Sequence, residues 1–123
     1  MTIRDPEKFC ESLWDWSCLK GCLGDGKIEP TDGDGLAFVE RNSYFLLLET
    51  KLPKAEIPEG QHRLFLSFCN KNNCVVFVIW GKPGNPEKMK IYDCGSIYYK
   101  DPCDLDGLRS SVDKWYQLAN SKG

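Results

Sequence analysis

Apolar residues in this chain fall into two kinds of run, and each kind predicts an element. Leu36-Ala37-Phe38-Val39, Tyr44-Phe45-Leu46-Leu47-Leu48 and Cys74-Val75-Val76-Phe77-Val78-Ile79-Trp80 are short and almost unbroken. Runs of this length, rich in β-branched and aromatic residues, read as strands buried on both faces. Residues 88–92 read as a further, shorter and peripheral strand, after a loop over residues 81–86 that carries Gly81, Pro83, Gly84 and Pro86.

Three other stretches read as helices. Asp5-Pro6-Glu7 supplies an N-cap, a first-turn proline and an acid near the positive end of a helix dipole. Phe9, Leu13, Trp14, Trp16 and Cys18 follow, as far as about Leu19, before Gly21, Gly24 and Gly26 break the pattern. A second helix is expected to start near Glu59 or Gln61, after the Pro53 and Pro58 loop, and to turn Leu64, Phe65 and Phe68 to the core. A third opens at Asp104-Leu105-Asp106-Gly107 and carries Leu108, Val112, Trp115 and Leu118. The predicted order is α-β-β-α-β-β-α. Strands apolar on both sides need cover on both sides, so the expected class is α/β, a central mixed sheet flanked by helices on both faces.

Composition narrows the class further. The 123 residues are 41% apolar and 28% charged, which suits one folded domain spanning residues 1–123. A net charge of −2 argues against a salt-driven grip on a polyanion over the whole surface, though not against a local groove. No apolar run approaches membrane-spanning length, and Met1-Thr2-Ile3-Arg4-Asp5-Pro6 shows no apolar signal segment, so no membrane association and a cytoplasmic location are expected. The seven cysteines then read as free and mostly buried thiols. Cys18-x3-Cys22 and Cys69-x4-Cys74 are the alternative, as ligands of zinc or an iron–sulfur cluster, with spacings that miss the usual knuckle.

The chemistry gathers in one predicted hairpin. Pro30-Thr31-Asp32-Gly33-Asp34-Gly35 precedes its first strand, and Glu49-Thr50-Lys51 closes its second. A loop at Arg41-Asn42 would set Asp34 opposite Glu49, and a loop at Asn42-Ser43 would set Asp34 opposite Lys51. Side chains alternate with period two, so either register leaves Asp34, Glu49 and Lys51 on one face, shared with Leu36, Phe38, Phe45 and Leu47. Opposed Cβ atoms lie roughly 5 Å apart, close enough for two carboxylates to share one divalent cation. Asp34, Glu49 and the Thr50 carbonyl would supply hard oxygen ligands for Mg²⁺ or Mn²⁺. Lys51 could orient or deprotonate an attacking water, or contact a phosphate.

These motifs resemble the PD-(D/E)xK nuclease superfamily. Together, Trp14-Asp15-Trp16, Pro30-Thr31-Asp32-Gly33-Asp34-Gly35, Glu49-Thr50-Lys51 and Gly60-Gln61 look like a family of short phage and bacterial proteins of that superfamily. Gly33 stands where that pattern carries an apolar residue. The resemblance implies a restriction-endonuclease-like core and metal-dependent hydrolysis of DNA, less often RNA, with Asp34, Glu49, Lys51 and Gln61 in catalytic roles. It also implies assistance from an acid on the first helix, Glu11 or Asp15. A chain this short covers little substrate, so a homodimer is a further expectation. The alternative is a non-catalytic nuclease-fold binding protein, such as a phage-encoded modulator of a host or defence protein. His62, the single histidine, reads as a surface residue, and Lys54, Arg63, Lys82, Lys88 and Lys90 read as solvated cations, some within reach of phosphates. Trp14, Trp16 and Trp115 read as core.

Overall fold

The turn at Asn42-Ser43 settles the register of the hairpin. Both residues have positive φ, 54° and 66°, the type I′ geometry whose twist matches that of paired strands. Strands β2 (Leu36–Arg41) and β3 (Tyr44–Lys51) therefore pair with Arg41 opposite Tyr44 and Leu36 opposite Glu49. The Asn42 side-chain amide donates to the Ala119 carbonyl at 3.0 Å, which ties the tip of the hairpin to the C-terminal helix. The computed structural model describes Trp14, residues 16–24, the backbone of residues 31–33, and residues 36–70 and 73–123.

Among the described residues six strands form one mixed sheet in sequential order. The short β1 (Thr31–Gly33) runs antiparallel to β2, with Gly33 opposite Leu36. Helix α1 (Glu59–Phe68) crosses over from β3 to β4 (Cys74–Lys82), and these two strands are the parallel pair. Strands β5 (Asn85–Asp93) and β6 (Ser96–Lys100) complete the sheet as antiparallel neighbours. Helix α2 (Leu105–Asn120) closes the chain, its N-cap Asp104 accepting from the Gly107 amide at 2.9 Å.

Each sheet face has its own core. On one, Ala37, Val39, Leu46, Leu48, Phe77, Ile79 and Met89 pack with Leu108, Val112, Trp115 and Ala119 of α2. On the other, Leu47, Val76, Val78, Trp80 and Tyr92 pack with Phe65 of α1 and with Cys69. The expected mixed sheet with helices on both faces is present. Beneath α2 the alternate residues of β2, β3 and β4 from Ala37 and Val39 to Phe77 and Ile79 are buried, whereas on the α1 face Phe38 and Phe45 stay exposed. Among the described residues no helix is long and apolar enough to cross a membrane.

Several boundaries differ from the sequence reading. Residues 1–13 and 15, which hold most of the expected first helix with Glu11 and Asp15, lie outside the described residues; its expected end is a single 3₁₀ turn, Trp16–Leu19. Short 3₁₀ pieces are usual beside glycines that leave the helical region, and Gly21 has φ +92°. Trp14 and Trp115 are buried and Trp16 packs against the same core.

The expected loop over residues 81–86 is a tight hairpin turn between β4 and β5, with a bulge at Trp80/Gly81. The strand read as short and peripheral is β5, nine residues long and interior, because Ser96-Ile97-Tyr98-Tyr99-Lys100 pairs along its outer edge. Leu64 and Phe68 were expected in the core but are 59% and 51% exposed. The helical repeat turns Gln61, Phe65 and Cys69 to the sheet at spacings of four, and sends Leu64 and Phe68 outward together. For the same reason Ala119, rather than the exposed Leu118, completes the buried stripe of α2.

Candidate functional site

Glu49 and Lys51 are the last face-sharing pair of β3, and Gln61 lies in the first turn of α1. The crossover therefore lowers a helix start onto a strand end. The Gln61 side-chain amide donates to Glu49 Oε1 at 3.2 Å, and Lys51 Nζ lies 3.6 Å from the same oxygen. The side chains of Lys51 and Glu49 are only 13% and 16% exposed, so this carboxylate is largely withdrawn from water. Gln61 Oε1 is buried and has no hydrogen-bond partner among the described residues. A buried acceptor left unpaired is uncommon in a folded protein and marks a place where something else can bind.

Three of the sequence-predicted site residues, Glu49, Lys51 and Gln61, are thus brought together. Asp34 lies outside the described residues, and the described pairing of β2 with β3 begins at Leu36. Thr50 alternates to the other side of the strand, and with Trp14, Lys51, Leu52, Ala55 and Gly81 it lines a cavity of about 250 Å³ at the strand's end. The 2.6 Å hydrogen bond from the Trp80 indole to the Ala55 carbonyl holds the loop that roofs this end of the sheet.

Two residues read as solvent-facing are not. Lys90 is 8% exposed, and His62 is half-buried with Nδ1 2.7 Å from the Tyr92 hydroxyl. The signal was present in strand pairing. Val78 is opposite both Glu49 and Lys90, and Lys90 is opposite Tyr99, so one row across the sheet reads Glu49, Val78, Lys90, Tyr99. The next row reads Lys51, Trp80, Lys88, with Lys88 Nζ 5.0 Å from the Trp80 ring centroid. This face thus carries Lys51, Lys88 and Lys90 with one half-buried glutamate, although the whole chain is mildly acidic.

Of the six described cysteines, Cys22, Cys69, Cys74 and Cys103 are buried free thiols. Cys69 and Cys74 share a hydrogen bond at 3.8 Å between their sulfurs. That contact lowers the Cys69 thiol below its ordinary pKa, and together with burial raises Cys74. Among the described residues no group of three or more His, Cys, Asp and Glu side chains is placed to hold a metal ion. No family model matches the chain, and neither a curated protein nor a solved structure matches it.

Proposed function

We propose that this chain is a small metal-dependent phosphodiesterase with a PD-(D/E)xK-type site and a restriction-endonuclease-like core, acting on DNA. The observation that carries the reading is the convergence of Glu49, Lys51 and Gln61 on one carboxylate oxygen at the end of β3. The donor set suits a hard divalent cation. It offers a largely buried carboxylate and an orphaned amide oxygen, with Asp34 as the further carboxylate that the sequence motif provides. Bound there, Mg²⁺ or Mn²⁺ would activate a water and neutralise charge on a phosphate.

The chain's own groups do the rest. Gln61 fixes the rotamer of Glu49. Lys51 stands beside it as the cation that orients the attacking water or meets a phosphate oxygen. Lys88, lying over Trp80, extends positive charge along the same face, so a backbone could be held locally by a protein of net charge −2. The test is a cleavage assay on linear, nicked, branched and single-stranded DNA with Mg²⁺ or Mn²⁺. Cleavage that is lost in Glu49→Gln and Lys51→Ala supports the reading; intact DNA in every case, with no divalent binding by calorimetry, ends it.

A second reading draws on a different observation. Phe38 and Phe45 lie exposed on the α1 face, and Leu64 and Phe68 are exposed on α1. Uncovered aromatic residues suit a partner protein. In this reading the fold binds a host or defence protein without catalysis. A folded Asp34→Ala plus Glu49→Ala variant that keeps full biological activity decides for it.

A further inference from the structure

Two strands from Glu49, in the same row, lies a lysine whose surroundings are unusual. Lys90 Nζ sits 5.0 Å from the Tyr92 ring centroid, 5.3 Å from that of Tyr99 and 3.5 Å from His62 Nδ1. The ion pairs among the described residues are Lys51–Glu49 and Arg63–Glu59, so no described carboxylate pairs with this nearly buried ammonium. Burial opposes its charge, but interactions with Tyr92 and Tyr99 outweigh that and hold its pKa above the ordinary lysine value. Lysines are seldom buried without a counter-charge, because desolvation is repaid only by a partner of opposite sign. Two aromatic faces supply part of that compensation. As mere packing the charge is superfluous, since a methionine would fill the same space without it.

The groups around Lys90 can both accept and donate. An ammonium can only donate, and His62 Nδ1, 2.7 Å from the Tyr92 hydroxyl and 3.5 Å from Lys90 Nζ, has one lone pair to offer the two of them. No described hydrogen bond uses Nε2 of the ring. Tyr99 is 69% exposed on the outer strand, and its hydroxyl oxygen accepts from Lys90, which leaves the hydroxyl hydrogen to donate. An ammonium, an imidazole and a phenol meet here with no carboxylate among the described residues beside them, a set that suits an oxyanion. Two strand spacings separate Lys90 from Glu49, about 10 Å, and His62 directly follows the glutamine that holds Glu49.

We propose that Lys90, His62 and Tyr99 form a phosphate-binding site that holds the phosphate neighbouring the one engaged at Glu49 and Lys51. That the phosphate belongs to a nucleic-acid strand rests on the function proposed above; the oxyanion site itself does not.

The experiment omits divalent ions and includes EDTA, which separates the two ideas. Thermal melts compare inorganic phosphate with chloride at matched ionic strength, and fluorescence anisotropy compares a single-stranded oligonucleotide with and without a 5′-phosphate. Wild type should melt higher in phosphate than in chloride. Lys90→Met should melt higher than wild type in chloride, lose the phosphate response, and bind the oligonucleotides about ten- to a hundredfold more weakly, the range for one charge-assisted hydrogen bond. If Lys90→Met does not fold, His62→Phe combined with Tyr99→Phe should lose at least about fivefold in affinity.

Tighter binding of the 5′-phosphorylated strand would assign the site to a terminal phosphate, and equal binding to an internal diester. A wild type that responds equally to phosphate and chloride, or a folded variant of unchanged affinity, overturns the site. A phosphate response in wild type, while wild-type protein leaves DNA uncut with Mg²⁺, retires the nuclease reading and leaves this one standing.

Discussion

Replacing Glu49 by glutamine keeps the shape of the side chain and removes its charge, which separates two roles the geometry allows. In the wild type, Oε1 receives the Gln61 amide at 3.2 Å and faces Lys51 Nζ at 3.6 Å, with both ionic side chains mostly shielded from water. The gross attraction at that distance, for an effective dielectric of about 20, is roughly 4–5 kcal/mol, and most of it is offset by desolvation of the two charges. A hydrogen bond to a charged acceptor also weakens to a neutral one, a difference of about 1 kcal/mol. The expected net loss is about 1–2 kcal/mol, read by urea unfolding in metal-free buffer with the slope unchanged. If Glu49 also binds a divalent ion, wild type gains stability with Mg²⁺. At about 10 mM ion and a dissociation constant of about 1 mM, linkage adds roughly 1.4 kcal/mol, and the variant should show almost none of it. A variant that loses the 1–2 kcal/mol but responds to Mg²⁺ as wild type does would make Glu49 a structural ion pair and refute the metal role. A loss below about 0.3 kcal/mol would refute the geometry itself.

Leu48→Ala should cost about 3–4 kcal/mol by chemical denaturation, because Leu48 is fully buried between the sheet and α2. Gly81→Ala should lower stability by at least about 2 kcal/mol: Gly81 has φ +151°, and a Cβ there would clash with the Asn85 carbonyl oxygen. Calorimetric melting checks it, and a change under about 0.5 kcal/mol would contradict the bulge geometry. Mild oxidation by diamide should form one disulfide, Cys69 to Cys74, because the sulfurs are 3.8 Å apart and the Cys69 pKa is lowered by the contact. Peptide mapping that finds both thiols free while the exposed Cys94 has reacted would contradict it.

The fold was legible wherever one signal dominated. Unbroken apolar runs placed β3 and β4, and the Asp104 cap placed the start of α2, because burial on both sides and a side-chain cap leave little alternative. Period-two reasoning also put Glu49 and Lys51 on one face whichever turn was chosen; the positive φ of Asn42 and Ser43 then selected one register. What escaped depended on partners distant in sequence. Ser96-Ile97-Tyr98-Tyr99-Lys100 is too polar at its ends to announce a strand, and without it β5 looked like an edge. Lys90 consequently read as solvated, when β6 on one side and His62 on the other enclose it. The outward turn of Leu64 and Phe68 was hidden for another reason. Hydrophobicity named the residues, but the direction of α1 was set by Phe65 packing on Tyr92, ring centroids 5.4 Å apart.

The location of the charged groups follows from topology. In a β-helix-β crossover the first strand ends where the helix begins, and the second strand of the parallel pair ends at the same side of the sheet. Open α/β sheets bind ligands beyond the carboxyl ends of such strands. Here β3 contributes Glu49 and Lys51 at its end, α1 contributes Gln61 and His62 from its first turn, and β4 reaches the same level at Val78 and Trp80. Because β5 pairs antiparallel with the end of β4, Lys88 and Lys90 come from its middle. Further along, the rows that hold Leu47, Val76 and Tyr92 are closed by Phe65, and that part of the face is core. One helix thus seals half of a sheet face and leaves the other half to polar side chains. The arrangement depends on strand parity: deleting one residue from β3 before Glu49 would turn its carboxylate into the α2 core and break its contacts with Gln61 and Lys51.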